Sequence, residues 1–532
     1  MRGWSRAIGA AGIAAIVAAC SSGSGLGGDF ASSPAYNPAA GADASTGGGA
    51  GGSFAGGDGG PPEQKVEDDY QSPVATGKYV WVANPKSGRV AYIDASAFTV
   101  STVEAGDGPT YLAAVPDANA DSAIVLNVLS HDATLLRQTG GALATATFPI
   151  AADENAWAVS SDGRWAIAWG DATRATNPDP TQGFQDISVL DLTQKVAPVI
   201  LTVGYRPVTL AFASDGKHAF AVTQDGVSVV DLTGAAPVVT KNFPLSTDPN
   251  DDPGTRDVSI TPDGSYALVR RDGQSTITVV ALSDGTLTTV QLPSNAYDLT
   301  LSPSGDRALA VMRDISTVAV LPIPQIATAP TSFTTVDIAG ETVGRAIVAD
   351  DANTTLLFTT ALPVDRLTVL DLSAQTFRTV RLYSPLLAVF ATHDAQNAVV
   401  LHQLPADAGT SAHGAFSLVP VGAELPAKIV GTVAPPNAVA LSPASDRALV
   451  TVRDDSTSTF AAYLAKFPSL EVDTYPLASP PIAAGVVAGA GTAFIAQLHP
   501  EGRITFIDLT TGAARTLTGF ELGSRIVDGS NP

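Results

Sequence analysis

Short runs of apolar residues, each ending in a polar turn, fill the chain from about residue 75 to its end. In the stretch 256–293 four runs follow one another: RDVSITPDG, SYALVRRD, STITVVALSDG and TLTTVQLP. Each run is rich in Val, Thr, Ile and Leu and is bounded by Gly, Pro, Asp or Ser, which is typical of strands joined by tight turns. No window longer than a turn or two carries an apolar stripe of helical period. The pattern predicts an all-β domain.

A polar turn followed by a β run recurs along this domain. The ten copies are ATGKYVWVA, ANADSAIVL, SDGRWAIAW, SDGKHAFAV, PDGSYALVR, PSGDRALAV, DDANTTLLF, HDAQNAVVL, PASDRALVT and GAGTAFIA, the second being the weakest. A spacing of roughly 40–50 residues is that of four-stranded propeller blades. Residues 75–532 are therefore predicted to form a β-propeller of seven to ten blades. Either the ring is unusually large, or one or two irregular units decorate a ring of seven or eight blades, and the absence of any linker-like interruption favours a single large ring.

Two local features refine this prediction. The third run of a unit often closes with an aspartate, as in VAYIDA, SVLDL, SVVDL, TVLDL and TFIDL. Such a side chain is expected to accept backbone N–H groups in the following turn. The stretch 170–186, GDATRATNPDPTQGFQD, falls between the second and third runs of unit three and predicts an insertion loop, not a domain boundary.

The first unit, YVWVANPKSGRVAYIDASAFTVSTVEAGDGP, resembles the YVTN repeat of bacterial surface β-propellers. The matching positions are Tyr79, Val80, Asn84, Gly88, Val90, Ile93, Asp94, Gly106 and Pro109. Later units keep the hydrophobic frame and the aspartate but lose the Tyr-Val…Asn signature. The resemblance implies a propeller of the cell envelope and says little about chemistry, because propellers host enzymes and binding modules alike.

The amino-terminal segment contains the only cysteine of the chain, in AIVAACSSGSG. Arg2 and Arg6 precede an apolar run of signal-peptide length, which ends in Val-Ala-Ala-Cys20. This ending resembles the bacterial lipobox, which implies cleavage before Cys20, acylation of its sulfur and stable membrane anchoring by two or more acyl chains. Residues 1–19 are therefore predicted to be a lipoprotein signal peptide. The alternative is an ordinary secretory signal with an incidental cysteine.

The segment that follows Cys20 is rich in Gly, Ser, Ala, Pro and Asp. Residues 20–74 have no periodicity and too few large apolar residues to bury a core, so they are predicted to form a disordered tether. In the lipoprotein family an aspartate after the cysteine implies inner-membrane retention. Ser21 stands there instead, which favours the outer membrane.

Composition limits the partners. The net charge is −22, so the protein repels polyphosphates, and binding to nucleic acid is not expected. The sequence has no phosphate-binding Gly-rich loop and no H-E-x-x-H motif, and neither cofactor nor resident metal is predicted. Its six histidines are scattered among turns in different units, namely His131, His218, His393, His402, His413 and His499. No catalytic residue is predicted.

A recurring Arg-Asp at the end of second strands forms the more coherent candidate site. These pairs and the starts of the innermost strands should lie around one mouth of the central channel. The candidate ligand rim consists of Arg206, Arg256, Asp257, Arg271, Asp272, Asp298, Arg313, Asp314, Arg345, Arg453 and Asp454, with Asn437 nearby. These residues either pair with one another structurally or contact a ligand. The acidic loops 246–254 and 177–183 are interpreted as solvated loops or, alternatively, calcium sites.

The sequence thus favours a monomeric, lipid-anchored bacterial envelope protein that displays a non-catalytic propeller. Its expected partner is an envelope protein, a peptide or a glycan. The alternative is a metal-dependent propeller hydrolase of lactonase type, for which channel-facing Asp, Glu or Asn ligands would be required.

Overall fold

The computed structural model describes residues 71–175, 181–194, 196–245, 255–382, 384–403 and 413–520. The predicted signal peptide, Cys20 and the tether up to residue 70 lie outside the described residues. The acidic loop 246–254 and most of the loop 177–183 also lie outside them.

The described chain forms ten antiparallel sheets of four strands, each sheet built from four consecutive strands. The prediction of a β-propeller is confirmed, with the blade number at the upper end of the expected range. Blade 1 consists of β1 Val74–Ala75, β2 Tyr79–Asn84, β3 Arg89–Asp94 and β4 Thr99–Glu104, and blade 2 of β5 Pro109–Val115, β6 Asp121–Asn127, β7 Asp132–Thr139 and β8 Ala142–Pro149. Blade 3 consists of β9 Ala156–Val159, β10 Trp165–Trp169, β11 Asp186–Asp191 and β12 Val199–Thr202, and blade 4 of β13 Pro207–Phe212, β14 His218–Thr223, β15 Gly226–Asp231 and β16 Val238–Pro244. Blade 5 consists of β17 Arg256–Ile260, β18 Tyr266–Arg271, β19 Thr276–Ala281 and β20 Leu287–Gln291.

The second half of the ring repeats this plan. Blade 6 consists of β21 Asp298–Leu301, β22 Arg307–Met312, β23 Thr317–Pro322 and β24 Thr334–Asp337, and blade 7 of β25 Arg345–Val348, β26 Thr354–Phe358, β27 Arg366–Asp371 and β28 Thr376–Arg381. Blade 8 consists of β29 Leu386–Ala391, β30 Asn397–His402, β31 Gly414–Pro420 and β32 Lys428–Thr432, and blade 9 of β33 Pro436–Leu441, β34 Arg447–Asp454, β35 Thr459–Lys466 and β36 Val472–Pro476. Blade 10 consists of β37 Pro481–Val487, β38 Thr492–Gln497, β39 Arg503–Asp508 and β40 Ala514–Thr518. All ten predicted units are blades.

Helical elements are short. One helical turn, α1 at Gln325–Thr328, lies between β23 and β24, and 3-10 turns occur at Arg313–Ile315 and Ala488–Ala490. In the part of the chain that the structure describes, none of the helices has the length and apolarity to cross a membrane.

The hydrophobic core lies in the seams between blades. The described residues contain ten buried clusters, one for each pair of neighbouring blades including blades 10 and 1. Alternation of side chains along a strand explains this arrangement, because successive residues of β18 face different neighbours. Leu268 packs toward blade 6, whereas Ala267 and Val269 pack toward blade 4. The second and third strands are therefore apolar at nearly every position.

Antiparallel pairing divides the connections between two faces of the ring. We call the side with the first-to-second and third-to-fourth strand turns the turn face. The opposite side carries the second-to-third connections and the crossings from each blade to the next, and we call it the loop face. First strands of neighbouring blades contact one another, as β5 does with β9 and β21 with β25, so they surround the centre of the ring.

Aspartates organise the turn face. Asp94 Oδ1 accepts hydrogen bonds from the N–H groups of Ser96 and Ala97, both at 2.8 Å, directly after the third strand of blade 1. The equivalent Asp371 and Asp508 accept turn N–H groups in the same way, and these bonds hold the pKa of both carboxyls below the usual range. The predicted role of the third-strand aspartate is confirmed.

Within residues 71–520, the ring closes without a blade that combines strands from the first and last repeat units. Blade 1 is built wholly from β1 to β4 and blade 10 wholly from β37 to β40. The two blades meet through buried side chains that include Val80, Phe494 and Phe506, and β1 contacts β37. The backbones approach closely here, since a Cβ on Gly489 would lie 2.3 Å from the Gly77 carbonyl oxygen.

Candidate ligand-binding face

The candidate rim residues lie on the loop face. Cross-strand register places Arg256 opposite Arg271 at the start of β17 and the end of β18. Asp298 begins β21 and Arg345 begins β25, so they lie at the same mouth of the channel. Side-chain contacts, however, divide the rim into residues whose side chains are hydrogen-bonded or ion-paired within the described protein and residues whose side chains are not.

Arg270, which the sequence analysis did not select, is the most buried arginine of this region, with 5% of its surface exposed. Its Nε donates to Asp257 Oδ2 at 2.8 Å, and its NH1 donates to Asp272 Oδ1 at 2.7 Å. A further bond reaches the carbonyl of Ala296 at 3.2 Å in the crossing to blade 6. Burial would lower the pKa of Arg270, but the two carboxylates raise it overall. This network joins blades 5 and 6 and is a structural use of Asp257 and Asp272.

Other rim arginines bond to the main chain or to a local carboxylate. Arg206 Nε donates to the Gln182 carbonyl at 3.1 Å, and Arg271 donates to that of Leu245 at 3.0 Å. Arg256 donates to the carbonyl of Gln224.

In blade 9, Arg453 does not pair with the adjacent Asp454 but with Asp455. Arg453 pairs with Asp455 at 2.9 Å, while Asp454 accepts turn groups from Ser456 and Thr457. Asn437 accepts the Thr451 hydroxyl at 2.8 Å.

Blades 6 and 7 carry the remaining rim residues in one group. Asp298 Oδ2 accepts the Ala346 N–H at 2.8 Å and thereby joins β21 to β25 beside Arg345. Burial raises the pKa of Asp298, and the positive charges of Arg345 and Arg270 partly oppose this. The Arg313 guanidinium lies 5.9 Å from the centre of the Tyr297 ring, and the Tyr297 hydroxyl donates to Asp314 at 2.9 Å. The sequence does not single out Tyr297, because it lies just before β21 in the crossing from blade 5 to blade 6, SNAYDLT, which carries no recognisable motif.

A buried carboxyl group lies on the same face between blades 2 and 3. Glu154, in the crossing from β8 to β9, is 3% exposed, and neither of its side-chain oxygens makes a hydrogen bond of good geometry. Burial raises the pKa of Glu154 to about 8; the neighbouring Ser188 lowers it and the charge of Asp186 raises it. Its carboxyl group is therefore mostly protonated at neutral pH.

The histidines do not converge. His393 lies in the turn after β29 and contacts Asp350 at 2.8 Å, whereas His402 is buried at the end of β30, with Nε2 2.6 Å from Ser417 Oγ. Burial lowers the pKa of His402. Among the described residues, no group of three or more His, Cys, Asp or Glu side chains is placed to hold a metal ion.

Two cavities open on the described surface. One of about 150 Å³ lies beside blade 7 on the loop face, lined by Glu341, Asp365 and Arg366 among others. Another, of about 360 Å³, lies at the outer edge of blades 2 and 3 near Thr145–Pro149. Exposed apolar side chains are frequent on the loop face and come from six separate connections: Leu129, Tyr297, Ile315, Leu362, Val433 and Leu498.

No family model matches this chain, and no curated protein matches its sequence. Solved structures similar to it include "Dihydro-heme d1 dehydrogenase NirN in complex with DHE", with 15% identity and a TM-score of 0.43 over 66% of this chain and 72% of that chain. A eukaryotic initiation factor has 15% identity and a TM-score of 0.47 over 73% and 94%. Apo AztD from Citrobacter koseri has 13% identity and a TM-score of 0.37 over 59% and 86%. Likeness at this level concerns the fold alone. The resemblance to YVTN repeats stays a prediction.

Proposed function

We propose that this chain is a bacterial lipoprotein, anchored through acylated Cys20, that displays a non-catalytic ten-bladed propeller as a binding module at the cell envelope. The outer membrane is the proposed location. The proposed partner is an envelope protein, a peptide or a glycan, bound at the loop face by a monomeric ring.

The contrast between the two faces supports a binding role. On the turn face, the aspartates that follow third strands, such as Asp94, Asp371 and Asp508, are occupied by turn N–H groups. On the loop face, connections of different lengths expose apolar and charged side chains around the channel mouth. Recognition surfaces commonly lie on loops that a rigid scaffold positions, and the closed ring is such a scaffold.

The anchor is tested by Cys20→Ala in the full-length protein. Without the thiol no acyl chain can be attached, so the variant should leave the membrane fraction while the wild type remains there. The measurement is the distribution of the protein between membrane and soluble fractions after a high-salt wash, with Ser21→Ala as the matched control. A Cys20→Ala protein that still sediments with washed membranes would show that the anchor is wrong.

The binding face is tested by capture with the full-length protein in detergent. Replacing Arg271, Arg313 and Arg453 together with Met should abolish retention of a specific envelope partner, because methionine lacks the directional donors of the guanidinium group. A matched variant replaces Lys78, Arg164 and Lys217 with Met and removes three cations from the turn face instead; it should retain the partner.

Retention by the loop-face variant, together with loss in the turn-face variant, would assign binding to the opposite side. If neither the wild type nor any variant retains a defined partner, the proposed binding function fails.

A further inference from the structure

Two rim arginines differ from the others because their guanidinium groups make neither a hydrogen bond nor an ion pair with a described residue. Among the described residues, neither the Arg313 nor the Arg345 side chain makes an ion pair or a hydrogen bond, and the only aromatic contact of the two is that of Arg313 with Tyr297. Arg345 is exposed and Arg313 is half-buried. The charge of Arg345 acts on the buried Asp298 carboxyl, but neither guanidinium is bound directly to a carboxylate. They leave up to ten N–H donors for an external acceptor.

The two side chains are held near each other by the seam between blades 6 and 7. The Arg313 Cδ lies 3.9 Å from the position that a Cβ on Gly344 would occupy, so its side chain crosses the residue directly before Arg345. The innermost strands beneath are joined by Asp298 and by the Thr300 hydroxyl, which donates to the Ala346 carbonyl at 3.1 Å. The backbone that carries both arginines is thus fixed before any ligand arrives, which reduces the entropic cost of binding.

Apolar surface adjoins these charges. Tyr297 and Ile315 are each 44% exposed, and Leu362 in the next blade is 60% exposed. Tyr297 is oriented by its hydrogen bond to Asp314 and by the Arg313 guanidinium over its ring. Tyrosine and arginine are the residue types that most often dominate binding energy at protein interfaces.

The shape of the surface favours a peptide ligand over a small molecule. Pockets for small ligands usually enclose about 300–1,000 Å³. The cavity beside blade 7 on this face has only about 150 Å³. An extended chain needs no enclosing pocket, because it places alternate side chains on a surface at successive positions.

We propose that Arg313 and Arg345, with Tyr297 and Ile315, bind an acidic peptide segment in which carboxylate side chains stand beside apolar ones. The guanidinium groups bind the carboxylates through charge-assisted hydrogen bonds, and the Tyr297 ring and Ile315 pack against the apolar side chains. This inference rests on the proposed binding function and names the ligand class of that face.

The test measures fluorescence anisotropy with full-length protein in detergent and a labelled pentapeptide of alternating Asp or Glu and Leu or Phe. Loss of both arginines in the Arg313→Met, Arg345→Met variant should weaken binding by about 30-fold or more, because each removes a charged hydrogen bond. The matched control, Arg381→Met with Lys86→Met, removes the same charge from the same face and should change affinity by about twofold at most. Since neither guanidinium group makes a hydrogen bond or an ion pair with a described residue, the thermal midpoint of the double variant should lie close to that of the wild type.

Two further ligands, an amide version of the peptide and inorganic phosphate, test whether affinity depends on carboxylates within a peptide or on negative charge alone. The same peptide with Asn and Gln in place of Asp and Glu should bind at least about tenfold more weakly, because it lacks the carboxylates. Inorganic phosphate at millimolar concentration should not displace the acidic peptide. The proposal is overturned by near-wild-type affinity in the double Met variant, by equal binding of the amide peptide, or by displacement with phosphate, which would indicate a general anion site. If the peptide fails to bind while an envelope partner is still captured, only this inference is lost.

Discussion

Gly163→Ala should lower the free energy of unfolding by more than about 3 kcal/mol, because the new methyl group would overlap the backbone of the neighbouring blade. A Cβ at this position would lie 1.7 Å from the carbonyl oxygen of Pro116, which directly follows the first strand of blade 2. The positive φ of 68° adds a smaller cost, about 1 kcal/mol, for any residue with a side chain. The measurement is the midpoint of urea unfolding followed by circular dichroism.

Gly273→Ala is the matched control. Gly273 has the same φ of 68°, but nothing lies within 4 Å of the place its Cβ would take. Only the backbone cost of about 1 kcal/mol should therefore remain. The chain itself accepts alanine in this conformation, since Ala352 and Ala395 have φ of 56° and 57° in the turns of blades 7 and 8 that correspond to the Gly163 turn. Equal losses at Gly163 and Gly273 would show that contact with Pro116 does not limit the turn, and so would a soluble, fully stable Gly163→Ala protein.

Glu154→Gln should remove a decline in stability between about pH 5 and pH 8. Burial raises the pKa of the folded carboxyl to about 8, from its ordinary value of 4.5. In that interval the folded protein holds a proton that the unfolded chain has released, so unfolding becomes easier as the pH rises. A shift of this size corresponds to a loss on the order of 5 kcal/mol once the group is fully ionised. Glutamine resembles the protonated acid and cannot ionise.

The expected result is a crossing pattern. Near pH 5 the Glu154→Gln variant and the wild type should unfold at similar temperatures, and at pH 9 the variant should be the more stable. Glu424→Gln serves as the control because Glu424 is exposed in the turn after β31, so its difference from the wild type should not change with pH. Parallel stability curves for Glu154→Gln and the wild type would mean that the carboxyl is ionised or solvated in the folded protein.

The architecture was predictable because it repeats. A polar turn followed by an apolar run marks every blade, and ten copies of one weak signal specify the ring better than any single copy does. The hydrogen bonds of the turn aspartates were also predictable, because each aspartate accepts N–H groups that are only two or three residues later in the sequence. Glycine at positions such as Gly163 belongs to the same pattern.

The pairing of the rim residues was harder to predict, because neighbours in a strand point to opposite sides. Arg270 follows Leu268 in the alternation and therefore enters the seam with blade 6, while Arg271 follows Val269 and donates to the Leu245 carbonyl on the side of blade 4. Applying the alternation to RRD would have shown that Arg270 and Arg271 point toward different neighbouring blades. The burial of Glu154 depends on how the crossing PIAADENAW folds against Ser188 of a strand more than thirty residues away, and nothing in the local sequence signals it.

The described part of the chain has no blade that combines strands from the first and last units, and this has a consequence for the history of the molecule. Each blade is one uninterrupted stretch of sequence, so duplicating or deleting roughly 40–50 codons in register adds or removes a whole blade and breaks no strand pair. Propellers whose first and last strands complete a common blade must keep those two ends matched. Here every seam, including the one between blades 10 and 1, is the same kind of side-chain contact. A ring of this construction could grow to ten blades by gene-level copying alone, with each copy free to diverge in its loop-face connections.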